Sequence, residues 1–133
     1  MKQRPTFSKI TLGLACVLIP CFALADHDQL SLKQGTYVVA SSDCKEPAFA
    51  VMKSWDGVGF SGPHSSKCTS RVLSRHGNQF TMSTTCAALG DGTPDQSGYV
   101  DNFLLTRLSN TRFNIRKDND PHPETTYRWC LAR

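Results

Sequence analysis

The feature that most restricts the fold is the stretch from Cys68 to Cys86, two runs of alternating character around a turn, with a cysteine near the end of each arm. Along the first arm Cys68, Ser70, Val72 and Ser74 share one face, while Thr69, Arg71, Leu73 and Arg75 share the other. The second arm sets Phe80, Met82, Thr84 and Cys86 on one side and Gln79, Thr81, Ser83 and Thr85 opposite. Alternation of period two marks half-buried strands. Between the arms, His76, Gly77 and Asn78 tolerate the positive φ of a tight turn. The segment is expected to be a β-hairpin.

Residues directly opposite one another in a sheet point to the same face. Requiring Val72 and Met82 both to face inward therefore restricts the register. A three-residue loop of His76 to Asn78 sets Cys68 directly across from Cys86. A loop of Arg75 to Gly77, with Gly77 in the left-handed position of a bulged turn, sets Cys68 across from Thr84. Cys86 then lies on the diagonal at roughly 7 to 8 Å between α-carbons, too far for a disulfide, which wants about 5.5 Å. The pairing of Cys68 with Cys86 thus depends on the turn.

Export chemistry is written at the start of the chain. Lys2, Arg4 and Lys9 form a basic region, Ile10 to Ile19 an apolar run, and Ala23, Leu24 and Ala25 a small-x-small cleavage pattern. This reads as a signal peptide of residues 1–25, cleaved before Asp26. The apolar run falls short of the roughly 20 residues of a membrane span. Neither Cys16 nor Cys21 is preceded by a lipoprotein box, so both are expected to leave with the leader. The remainder, residues 26–133, has the size of one domain. The three basic residues of the leader account for most of the formal charge of +4. A near-neutral mature domain argues for neither nucleic-acid nor membrane binding.

Four cysteines remain, Cys44, Cys68, Cys86 and Cys130. An even count in a short exported chain implies two disulfides, with three possible connectivities. If Cys68 joins Cys86, then Cys44 joins Cys130 and ties the first strand to the last. The close C-x-x-C pairs of a zinc site are missing.

In order, residues 26–34 read as a polar lead and Gly35 to Ser41 as the first strand. Pro47 to Trp55 fits either a short helix or a strand, and the following Asp56-Gly57 hairpin signal favours strand. Val58 to Ser61 is a short apolar piece halted by Gly62 and Pro63. After the central hairpin come a loop over residues 90–98, strands at Tyr99 to Leu108 and Arg112 to Lys117, a polar loop over residues 118–124, and a last strand at Thr125 to Leu131. Turn signals at about ten-residue intervals predict an all-β fold, a small antiparallel barrel or sandwich of seven to eight strands crosslinked by two disulfides.

Candidate chemistry is sparse. His64 stands beside Ser65 and Ser66, but sequence neighbours do not make a nucleophile and base, and Gly-Pro-His-Ser-Ser is ordinary loop composition. Asp118, Asp120, His122 and Glu124 alternate, and carboxylates with an imidazole are donors that could gather a divalent ion, yet they match no calcium loop and read as a solvated acidic turn. His27, second after the predicted cleavage site, suits copper only if cleavage falls there. No cofactor and no metal ion is expected, and no catalytic residue is assigned. For binding, the outward face of the hairpin offers Arg71, Leu73 and Arg75 without a carboxylate, a docking face or a plain solvent-facing sheet. His64 and Trp55 complete the candidate binding residues. Trp55 and Trp129 can line a cavity or fill a core.

The signal peptide, a mature domain near 110 residues, many short strands and the late Tyr127-x-x-Cys130 together resemble small exported four-cysteine β-barrel proteins of Gram-negative bacteria. Periplasmic lysozyme inhibitors and immunity proteins are among these. With no catalytic constellation and a rigid crosslinked scaffold, the chain is expected to be a non-enzymatic periplasmic or secreted binding protein of inhibitor or immunity type, whose partner is another exported protein or enzyme. The inhibitors' characteristic serine loop is missing, so no functional residue is carried over. The alternative is a lipocalin-like carrier of a small apolar ligand.

Overall fold

The computed structural model describes residues 29–118 and 120–131. The predicted signal peptide, its cleavage site and His27 lie outside them. Eight antiparallel strands are described: β1 Gly35–Val39, β2 Met52–Trp55, β3 Phe60–Ser61, β4 Ser65–His76, β5 Gln79–Leu89, β6 Val100–Ser109, β7 Arg112–Lys117 and β8 Thr125–Cys130. They form one sheet in the order β3-β2-β1-β8-β7-β6-β5-β4, curled so that β3 approaches β4 in a nearly closed barrel. At this seam Ser70 N donates to the Val58 carbonyl at 2.9 Å and Phe60 N to Ser70 Oγ at 3.0 Å. Gly59 permits the approach, since a Cβ there would lie 2.0 Å from the Cys68 carbonyl oxygen. No side chain other than hydrogen fits.

Cys68 does face Cys86, and Val72 faces Met82. The turn differs from expectation: His76 pairs directly with Gln79, leaving a two-residue Gly77-Asn78 turn with Gly77 at φ +62°. An even-numbered turn alone would break the parity. A bulge between Val72 and Ser74 restores it by leaving Leu73 without an opposite residue. This corrects the placement of Arg75, which lies opposite Phe80 on the inward side rather than beside Arg71. Its guanidinium sits 5.2 Å from the Phe80 ring, and Nε donates to the Gly77 carbonyl.

The interior is filled. Tyr37, Phe80, Met82, Leu105 and Phe113 are fully buried, and Phe60 packs its ring 4.6 Å from Trp55 and 5.4 Å from Phe113 between centroids. Trp55 is thus mainly a core residue. The lead before β1 is not simply polar: Leu30 and Leu32 join the core cluster and plug one end of the barrel. Lys33 N donating to the Asn110 carbonyl and Trp129 Nε1 donating to the Gln34 carbonyl hold this plug in place. The ambiguous Pro47 to Trp55 segment divides into a 3-10 turn, Phe49–Val51, followed by β2.

Both disulfides are present. Cys68 joins Cys86, and Cys44 joins Cys130 across 86 positions. Their presence implies an oxidising, extracytoplasmic environment. Among the described residues no helix is long and apolar enough to cross a membrane.

Candidate binding cleft at the open end of the barrel

Opposite the Leu30 plug, the barrel's inward positions turn from apolar to charged. Register determines which residues meet there. On β2, Lys53 lies opposite Tyr37; on β6, Asp101 lies opposite Thr84; on β7, Lys117 lies opposite Phe103. Each is the last inward residue of its strand at this end, one pleat beyond Trp55, Phe103 and Ile115. Lys117 Nζ pairs with Asp101 Oδ1 at 3.4 Å. Lys53 Nζ lies 5.8 Å from the centroid of the Tyr127 ring.

Burial holds the Lys53 ammonium below its ordinary pKa, the Asp101 carboxylate draws it back up, and the Lys117 charge lowers it further. Burial also raises the Tyr127 phenol. Above these groups opens a cleft of about 520 Å³ with Phe60 and Phe103 on its floor and His64, Leu89 and Tyr99 at its rim. A smaller recess of about 150 Å³ reaches Lys53 and Asp101 from the side of Tyr127 and His122.

Hydrogen bonds fix the walls. Ser70 Oγ and Thr84 Oγ1 share a 2.6 Å bond while Ser70 accepts from Phe60 N, which holds the Phe60 ring over the core. The residue 90–98 loop is shaped by its own carboxylates: Asp91 accepts from Thr93 N at 2.9 Å and Asp95 from Ser97 N at 2.9 Å. These backbone bonds lower both carboxyl pKa values. Ser97 Oγ in turn accepts from Tyr99 N at 3.3 Å, so the loop delivers Tyr99 to the rim.

Of the five residues singled out by sequence, the structure brings only His64 to this cleft. Arg71 and Leu73 line a separate shallow groove of about 530 Å³ on the outer face of the hairpin, walled by Lys67, Thr69, Ser83 and Thr85. Trp55 lies in the core and Arg75 at the plugged end. The hydroxyls next to His64 serve the backbone: Ser65 Oγ accepts from Gly62 N, and Ser66 Oγ donates to the Leu89 carbonyl. Asp120 accepts from His122 N, and Glu124 accepts from Asn114 Nδ2. Among the described residues no group of three metal-ligating side chains converges.

Set against protein families, known proteins and solved structures, the chain matches none. The cleft is therefore read from its own chemistry. Lys53, Asp101 and Lys117 are not among the residues that motif and spacing single out. One signal was present: in the alternation of Val51, Lys53 and Trp55, a lysine occupies a position that should face inward.

Proposed function

We propose that this is a non-enzymatic exported binding protein, periplasmic or secreted, that docks another exported protein at the open end of its barrel. One observation carries the reading. Large apolar side chains crowd the rim while the interior beneath is already filled: Tyr99 is 63% exposed, Phe49 64% and Leu89 43%. His64 and Leu89 belong both to the main cleft and to an adjoining hollow walled by Phe49 and Pro63, so the exposed groups form one patch. Aromatic anchors around a desolvated pocket are the composition of an interaction hot spot. The resemblance to inhibitor and immunity barrels agrees with such a role.

The outer hairpin groove also exposes apolar side chains, Leu73 and Val100, but no aromatic residue lines it, and the stems of Lys67 and Arg71 cover part of its area while keeping their charges in water, which makes it the weaker surface. A second reading, carriage of a small apolar ligand, draws support from the Phe60 and Phe103 floor and the size of the cleft.

The test is capture from periplasm and from competitor secretions, read by mass spectrometry, with Tyr99→Ser and Leu89→Asn variants alongside an Arg71→Ala and Leu73→Ser control. A specific partner held by the wild type and the control, and weakened at least about tenfold by the rim changes, is the expected result. Loss in the hairpin control with retention in the rim variants would move the interface to the outer face and refute this reading.

A further inference from the structure

The open end of the barrel holds two inward ammonium groups and one inward carboxylate, contributed by three different strands. Asp101 is engaged by Lys117 at 3.4 Å. Among the described residues the Lys53 ammonium makes no direct hydrogen bond or ion pair; Asp101 attracts it from beyond contact distance, and the Tyr127 ring centroid lies 5.8 Å away. An ammonium removed from bulk water is costly unless an anion compensates it. The remaining carboxylate on the cleft wall, Asp95, is turned to its own loop by Ser97 N. His64, at the rim, is the other titratable group facing the space with basic character. Next to Lys53 the floor is aromatic, with Phe60 and Phe103 centroids 6.0 Å apart and edge-on. A cation beside an apolar floor selects a particular kind of group.

We propose that the cleft seats a carboxylate borne on a compact aromatic or branched apolar body, the carboxylate on Lys53 Nζ and the apolar body over Phe60 and Phe103. The inference rests on the reading of this end as the docking site and names the anchor: an acidic side chain of the partner flanked by an apolar residue. A charge-assisted hydrogen bond to Lys53 would then form in a partly dehydrated setting, where it is stronger than in water. Lys117 pairs with Asp101 and so weakens, without abolishing, the pull of that carboxylate on Lys53.

The experiment titrates the isotope-labelled full-length mature chain with two probes, phenylacetate and the capped dipeptide N-acetyl-Asp-Phe-amide, each against its neutral amide counterpart, phenylacetamide or the Asn dipeptide. Amide shifts in β2, β5 and β6 around the cleft report the site. The expected affinity is on the order of 1 mM, with each acid bound at least about tenfold more tightly than its amide. Lys53→Met should abolish that preference. Asp101→Asn, which removes the competing carboxylate, should strengthen acid binding several-fold, and it keeps the proposal testable if Lys53→Met folds poorly. Preference for the free acid alone, with the dipeptides bound equally, would assign the site to small acids rather than a protein side chain and overturn the anchor. Equal binding of acids and amides, or shifts confined to the outer hairpin groove, would overturn the carboxylate site altogether, even where the rim variants abolish partner capture. Clear acid preference combined with capture insensitive to the rim would instead refute the docking reading and leave the Lys53 site standing.

Discussion

Tyr37 joins the core to the plug that seals the closed end. Its ring is fully buried and packs 4.9 Å from Phe113, while its hydroxyl donates to the Lys33 carbonyl at 2.6 Å, with the Asn110 carbonyl at 3.3 Å. Burial pushes the phenol up from 10.0 to about 12. An acid whose pKa rises on folding gives up its proton more readily in the unfolded chain. Its contribution is therefore complete below the unfolded value and is lost as pH climbs toward the folded one. Wild-type stability should fall between pH 10 and pH 12, by on the order of 2 kcal/mol from this group. Tyr37→Phe should cost about 1 kcal/mol near neutrality through the lost hydrogen bond and should flatten the alkaline decline. Some decline will persist, because the Tyr127 phenol is raised as well. Denaturant titrations of both proteins at pH 8 and pH 11 decide the matter. Equal alkaline losses in the two would clear Tyr37 of the effect.

At the scale of the element, the hairpin shows how a register can be legible while its mechanism is not. Parity leaves two registers open, and the observed one is the register that sets Cys68 across from Cys86, joined by the disulfide. Parity also called for an odd-numbered loop, whereas the chain combines a two-residue turn with a bulge at Leu73. A bulge leaves no mark in simple alternation, since the extra residue looks like any other outward position, and Leu73 is in fact exposed. Deleting Leu73 should therefore give a regular ladder, with Val72 still across from Met82 and Cys68 still across from Cys86. We expect the deletion variant to fold, to form the same disulfide in non-reducing peptide mapping, and to change stability by less than about 1 kcal/mol. Failure of Cys68 to join Cys86 would show that the bulge sets the register instead of absorbing an extra residue. The cleft was less legible for a related reason. Asp101 and Lys117 meet across the β6–β7 hairpin, but Lys53 joins them only through the order β2-β1-β8-β7-β6, which no local pattern encodes. Leu30 and Leu32 were hidden among polar neighbours in the same way, being core only because the chain folds back across the barrel end.

Across the whole molecule, the two disulfides divide the work unequally. Cys68–Cys86 closes an interval of 18 positions inside a hairpin already paired along its length, whereas Cys44–Cys130 closes 86 and spans nearly the entire domain. The second bond also anchors the loop between β1 and the 3-10 turn. Arg128 donates there to the Ala40 and Ser42 carbonyls and approaches Cys44 Sγ at 3.0 Å. In the chain-entropy treatment the cost of losing a crosslink grows with the logarithm of the closed interval, giving about 3 kcal/mol for the hairpin bond and about 4.5 kcal/mol for the long one. Cys44→Ser with Cys130→Ser should accordingly lower the denaturant midpoint more than Cys68→Ser with Cys86→Ser. The site adds a second, independent distinction. Cys86 lines the cleft proposed for docking, while Cys44–Cys130 lies on the outside of the barrel with Thr36 and Arg128. Loss of the hairpin bond should therefore weaken phenylacetate binding under conditions where both variants remain folded, and loss of the long bond should not. If the hairpin pair proves both the more stabilising and the one without effect on binding, then local packing around Cys68, not loop closure, governs the crosslink, and the cleft keeps its shape through the Ser70–Thr84 hydroxyl pair and the residue 90–98 loop without it.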